Sequence, residues 1–105
     1  MSVSLVFLNW KRPDNLMKII DTQSTYDCVS ESIVFNNSLE PFVHHKAKVL
    51  NSSFDFGLES RWAAACLATS QVIVFQDDDL ILPAPALKVL AGVALRDPHR
   101  VHGIF

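Results

Sequence analysis

The chain has 105 residues, half of them hydrophobic and 19% charged, with a mean hydropathy of +0.23, a composition that sustains a buried core and excludes a disordered segment. A formal charge of -2 and an isoelectric point near 6.0 offer no basic field to a nucleic-acid backbone, so any phosphate must be met locally. No window reaches the roughly 18 apolar residues of a membrane span, and Met1-Ser2-Val3-Ser4 lacks the basic start of a signal peptide.

The first element in chain order is Val3–Asn9, a nearly unbroken run of β-favouring apolar residues that predicts a strand covered on both faces, as in a parallel sheet. Pro13 and Asp14 then supply helix-start chemistry, and Leu16, Ile19 and Ile20 share one helical face, which predicts a helix ending near Gln23. Residues 32–36 read as a second strand closed by the turn-forming Asn36-Asn37-Ser38, and residues 47–50 as a short third. Between them, "LEPFVHHK" reads as a surface excursion, with Lys46 and Lys48 on the exposed side of an edge strand.

Leu58, Trp62, Ala65 and Cys66 are spaced for the inward face of a helix reaching about Ala68, with Trp62 in the core. Val72-Ile73-Val74-Phe75 has the composition of a central strand. Pro83 and Pro85 open a last helix with Leu87, Leu90, Ala91 and Leu95 inward, and Asp97-Pro98 stops it. Val101-His102-Gly103-Ile104-Phe105 looks like a strand only begun, so the chain reads as the front part of a longer protein. Cys28 and Cys66 are too few for a disulfide framework and read as packed, reduced thiols. The four histidines form no zinc pattern.

The order β-α-β-β-α-β-α predicts an α/β domain with a mainly parallel sheet. Its one unusual feature is Asp77-Asp78-Asp79 at the end of the fourth strand. Adjacent carboxylates repel, and a divalent cation removes the conflict. Hard oxygen ligands suit magnesium or manganese, and one or two carboxylates leave the remaining coordination positions to water and phosphate. Ligands of open α/β sheets bind outside the strand carboxyl ends, where these residues stand. The competing role is helix capping. Leu80-Ile81-Leu82 lies between the aspartates and the proline-marked helix start, so none of the three is well placed for the cap and metal or ligand binding is the favoured reading.

Four segments in order, "LVFLNWKRPDNLMKII", "SIVFNN", "VIVFQDDDLIL" and "RDPHRVHGIF", resemble the nucleotide-sugar-binding front half of GT-A-fold glycosyltransferases, most closely the exostosin carboxyl-terminal domain, glycosyltransferase family 64. The resemblance covers nearly the whole chain and implies a Rossmann-like, three-layer α/β/α half-domain that binds a UDP-sugar. It places Arg12 and Arg61 at the diphosphate, Asn37 near the uracil or ribose, and Asn9 among the substrate contacts of the first turn. Asp77 would lie toward the ribose and Asp78 toward the donor sugar. Asp79, with Asp77 beside it, would hold a manganese or magnesium ion bridging the diphosphate.

Two departures stand out: "SSFDFGLES" replaces a basic, Asn-containing stretch, and Trp10-Lys11 replaces Tyr-Asn before Arg12. The acceptor-binding half and the acidic residue of a retaining reaction would lie past Phe105, so no catalytic residue is identified and the chain alone is expected to be inactive. The expected activity is metal-dependent, hexosyltransferase-like transfer from a UDP-sugar to a glycan or other hydroxyl acceptor. The alternatives are a sugar-nucleotide-binding module without turnover and an Asp-dependent phosphotransfer domain, which would want an aspartate where the first strand ends in Asn9. A native start at Met1 implies the cytoplasm; a fragment of a eukaryotic membrane enzyme implies the Golgi or ER lumen.

Overall fold

The computed structural model describes residues 2–103. Chain order is β1 (Val3–Asn9), α1 (Pro13–Gln23), β2 (Val29–Asn36), β3 (Ala47–Asn51), α2 (Ser60–Ala65), β4 (Val72–Gln76) and α3 (Ala84–Arg96). All neighbouring strands are parallel, in the order β3-β2-β1-β4. After β3 the chain crosses back over β2 and β1 through α2 and enters β4 on the far side of β1. The direction of winding therefore reverses between β1 and β4, which opens a crevice at their carboxyl ends.

The helices divide between the two faces of the sheet. Val3, Leu5 and Phe7 of β1, with Val34, Val72 and Val74, pack against Leu16, Ile19 and Ile20 of α1 and Leu87 and Ala91 of α3. On the other face Val6 and Ile33 meet Ala64 of α2, with Phe35 and Phe75 partly buried around them. Alternate β1 residues thus supply both cores, which explains why the strand reads as one apolar run. Burying side chains of this size is worth about 1.5–3 kcal/mol each.

Several expectations change. Among the described residues β4 lies at an edge of the sheet rather than at its centre, and its Ile73 is 40% exposed. An apolar run reports cover above and below, and says little about lateral neighbours. α2 spans only Ser60–Ala65, and its inward residues are Ser60 and Ala64. Leu58, Trp62 and Cys66 are exposed, because the small-residue side lets the helix approach the sheet closely. Trp62 instead lies edge-on to Phe75, ring centroids 4.8 Å apart.

β2 begins earlier than expected, at Val29. The 39–46 excursion is not all surface. Phe42 is in the core, and buried His44 bonds through Nε2 to Asp21 Oδ1 at 2.7 Å while its Nδ1 accepts Lys46 N–H at 3.0 Å. In α3, Leu87 and Ala91 are buried and Leu90 packs against the core as expected, but Leu95 is exposed and Ala94 flanks the core in its place. Residues 101–103 form no strand; the expected strand otherwise falls on Ile104 and Phe105, outside the described residues.

Candidate functional site

The crevice is built from two short connections. Between β1 and α1 only residues 10–12 intervene, because Pro13 starts the helix at once. Arg12 is the N-cap residue of α1 but makes no side-chain cap bond. Its guanidinium reaches across to the β4 turn, with Nε 3.7 Å from Asp78 Oδ1 and Nη1 4.0 Å from Asp79 Oδ2. These separations are longer than hydrogen bonds and describe charge attraction through partly wet space. With the Arg12 and Asp79 side chains 56% and 57% exposed, that contact is worth at most about 1 kcal/mol, while the Asp78 side chain is more enclosed, 16% exposed.

Asp77, Asp78 and Asp79 directly follow β4, and Pro83, not an aspartate, is the N-cap residue of α3. Together with Arg12, Trp10, Lys11 and Asn37 they border a crevice of about 400 Å3. Asp77 and Asp79 also border a larger cavity of about 620 Å3 that runs along β4 and includes Arg61 and Trp62. The aspartate turn is the common wall, with Arg12 on one side and Arg61 on the other. Arg61 donates Nε–H to Leu58 O at 3.1 Å and forms no ion pair among the described residues.

Asn9 and Asn37 are brought to the crevice region in supporting positions. Asn37 Nδ2 donates to Gly57 O at 3.2 Å and to Ser60 Oγ at 3.0 Å, while its Oδ1 accepts Phe56 N–H at 3.1 Å. Its polar atoms thus hold the 56–60 segment as one wall. Gly57 has φ +75°, a conformation that favours glycine at this turn. Asn9, Asn36 and Asn51 share one row across the carboxyl ends of β1, β2 and β3. Asn9 Nδ2 donates to Asn36 Oδ1 and Asn36 Nδ2 to Asn51 Oδ1, each at 2.9 Å. Backbone groups of Phe42 set the orientation of Asn51, and hence of the whole row. Asn9 Oδ1 has no hydrogen-bond partner among the described residues.

Sequence reasoning did not assign Trp10, Lys11, Asp55 or Gly57 to the crevice, which all four border. The Lys11 ammonium lies over the Trp10 ring, 4.1 Å from its centroid, so a cation and an aromatic face flank Arg12 on the same turn. Their adjacency to Arg12 was the available signal. Among the described residues no group of three or more His, Cys, Asp or Glu side chains converges as a metal cage. The donor set suits a hard cation held by one or two carboxylates whose other positions come from a ligand and water.

No family model matches the chain, and no curated protein matches it. The fold and site define an α/β domain with an all-parallel sheet, helices on both faces and an acidic turn at its switch point. No described helix is long and apolar enough to cross a membrane.

Proposed function

We propose that this chain is the donor-binding half of a GT-A-type glycosyltransferase and takes a UDP-sugar in the crevice between β1 and β4. The reading is carried by the meeting, at the switch point, of Arg12 from the β1–α1 turn with Asp78 and Asp79 after β4. A nucleoside diphosphate needs positive charge around its phosphates, and Arg12 and Lys11 supply it from one side. Asp79 and Asp77 would hold manganese or magnesium, which offsets the negative charge gathering on a departing diphosphate. Trp10 offers an exposed aromatic face at the mouth of the crevice. The acceptor is a glycan or another hydroxyl compound.

Calorimetric titration of UDP into the protein with manganese, and again with EDTA, tests this reading. Binding is expected with the metal only, and Asp79→Ala is expected to weaken it at least ~10-fold, about 1.4 kcal/mol. Absence of binding to the folded protein, or equal binding in EDTA, overturns the proposal.

A further inference from the structure

Two glutamines are buried beneath the aspartate turn. Gln23, the last residue of α1, is fully buried, and Gln76, the last residue of β4, is 8% exposed. Their carboxamides pair reciprocally: Gln23 Nε2 donates to Gln76 Oε1 at 2.9 Å, and Gln76 Nε2 donates to Gln23 Oε1 at 2.6 Å. From this pair the bonds run to the chain on the far side of the aspartates. Gln76 Nε2 also donates to Leu80 O at 2.7 Å, closing a loop around Asp77, Asp78 and Asp79. Gln23 Oε1 accepts Leu82 N–H at 2.9 Å, and Tyr26 OH donates to Leu82 O at 2.7 Å.

The turn is therefore tied at both feet to the end of α1 and the segment after it, through neutral groups. None of these bonds uses an aspartate side chain, so all three carboxylates stay available. On the solvent side the observed charge contacts are those of half-exposed Arg12, beyond hydrogen-bond distance. Polar groups are costly to bury unless their hydrogen bonds are made, and a hydrocarbon pair of similar length would fill the same space. What only carboxamides provide is a directional hold on Leu80 and Leu82.

We infer that Gln23 and Gln76 are positioning residues that set the placement of the Asp77–Asp79 carboxylates from the core side. The ligand part of this inference rests on the UDP-sugar reading; the structural part does not. Gln23→Met alone leaves Gln76 Oε1 buried without its donor and endangers folding. The deciding variant is therefore Gln23→Met/Gln76→Met, which replaces the pair with apolar side chains of similar length. Tyr26→Phe is the milder companion, since it removes only the outermost bond to Leu82 O.

Three readouts apply to each variant: amide exchange at Leu82, the carboxyl carbon resonances of Asp77, Asp78 and Asp79, and manganese-dependent UDP affinity. For the double variant with cooperative unfolding retained, Leu82 exchange is expected to rise at least ~10-fold. The aspartate resonances move, and UDP affinity falls about 10-fold. In Tyr26→Phe, exchange rises several-fold with little change in thermal midpoint. Wild-type Leu82 protection and unshifted aspartate resonances in the folded double variant, or in Tyr26→Phe should the double variant not fold, overturn the inference. Failure of the wild type to bind UDP removes the functional reading, while exchange and carboxyl resonances still decide the positioning role.

Discussion

Replacing Glu31 by Gln at the opposite end of the sheet should cost stability in a way that depends on pH. The Glu31 side chain is 8% exposed and receives hydrogen bonds from Lys48 Nζ at 2.7 Å, Thr69 N at 2.6 Å, Thr69 Oγ1 at 2.9 Å and the Ser4 hydroxyl. One carboxylate thereby ties β1, β2, β3 and the approach to β4. Burial pushes its pKa up, but the donors from Lys48, Ser4 and Thr69 together outweigh it and hold the group at about 2, against an ordinary 4.5. At about 1.4 kcal/mol per pH unit, that gap stabilises the folded state by at most about 3 kcal/mol.

Because the folded value is the lower one, this stabilisation is complete above the unfolded value of 4.5 and disappears as pH falls through about 2. Glu31→Gln should cost about 2–3 kcal/mol at pH 7, a fall of roughly 10 °C or more in thermal midpoint, and close to nothing near pH 2. Urea denaturation of both proteins from pH 2 to pH 7 isolates the contribution, since the other carboxylates are common to both. A stability difference below about 0.5 kcal/mol at neutral pH, or one that stays constant over the range, refutes the reasoning.

Two further substitutions test the crevice. Asn36→Ala removes a fully buried carboxamide that bonds Asn9, Asn51, Glu40 O and Ser38 N. It should cost about 2–4 kcal/mol in chemical denaturation, and a loss under about 1 kcal/mol would show that the row is dispensable. Arg12→Gln should change stability by less than about 1 kcal/mol because Arg12 is itself half-exposed and both of its contacts exceed hydrogen-bond length. The same variant should lower manganese-dependent UDP affinity about 10-fold by calorimetry; unchanged affinity would remove Arg12 from the ligand.

Local pattern carried much of the architecture. β1 and α1 could be bounded because an apolar run ends at Asn9 and Pro13 presets the next helix. α2 could not, because "LESRWAAACLA" presents apolar residues on more than one helical face. The face that packs is the small one at Ser60 and Ala64, and that preference exists only against Val6 and Ile33. The acidic turn and Arg12 were legible as a charged cluster and a cation, each shortly after an apolar strand. Their separation was not, since it depends on β1 and β4 lying side by side. The bonds of Gln23 to Gln76 and Asn9 to Asn36 join residues 53 and 27 positions apart. A carboxamide leaves no periodic mark in sequence from which such a partner could be found.

The order of amino acids by itself determined the parallel α/β class and placed three negative side chains at a strand terminus, because apolar periodicity and helix-start chemistry act over a few neighbouring residues. Only tertiary structure decided that β4 lies at the edge beside β1, that Arg12 faces Asp78 and Asp79, and that paired glutamines brace the turn. Those outcomes depend on strand order and register, which arise when separate apolar faces bury one another and enclosed polar groups are driven to find partners distant in sequence.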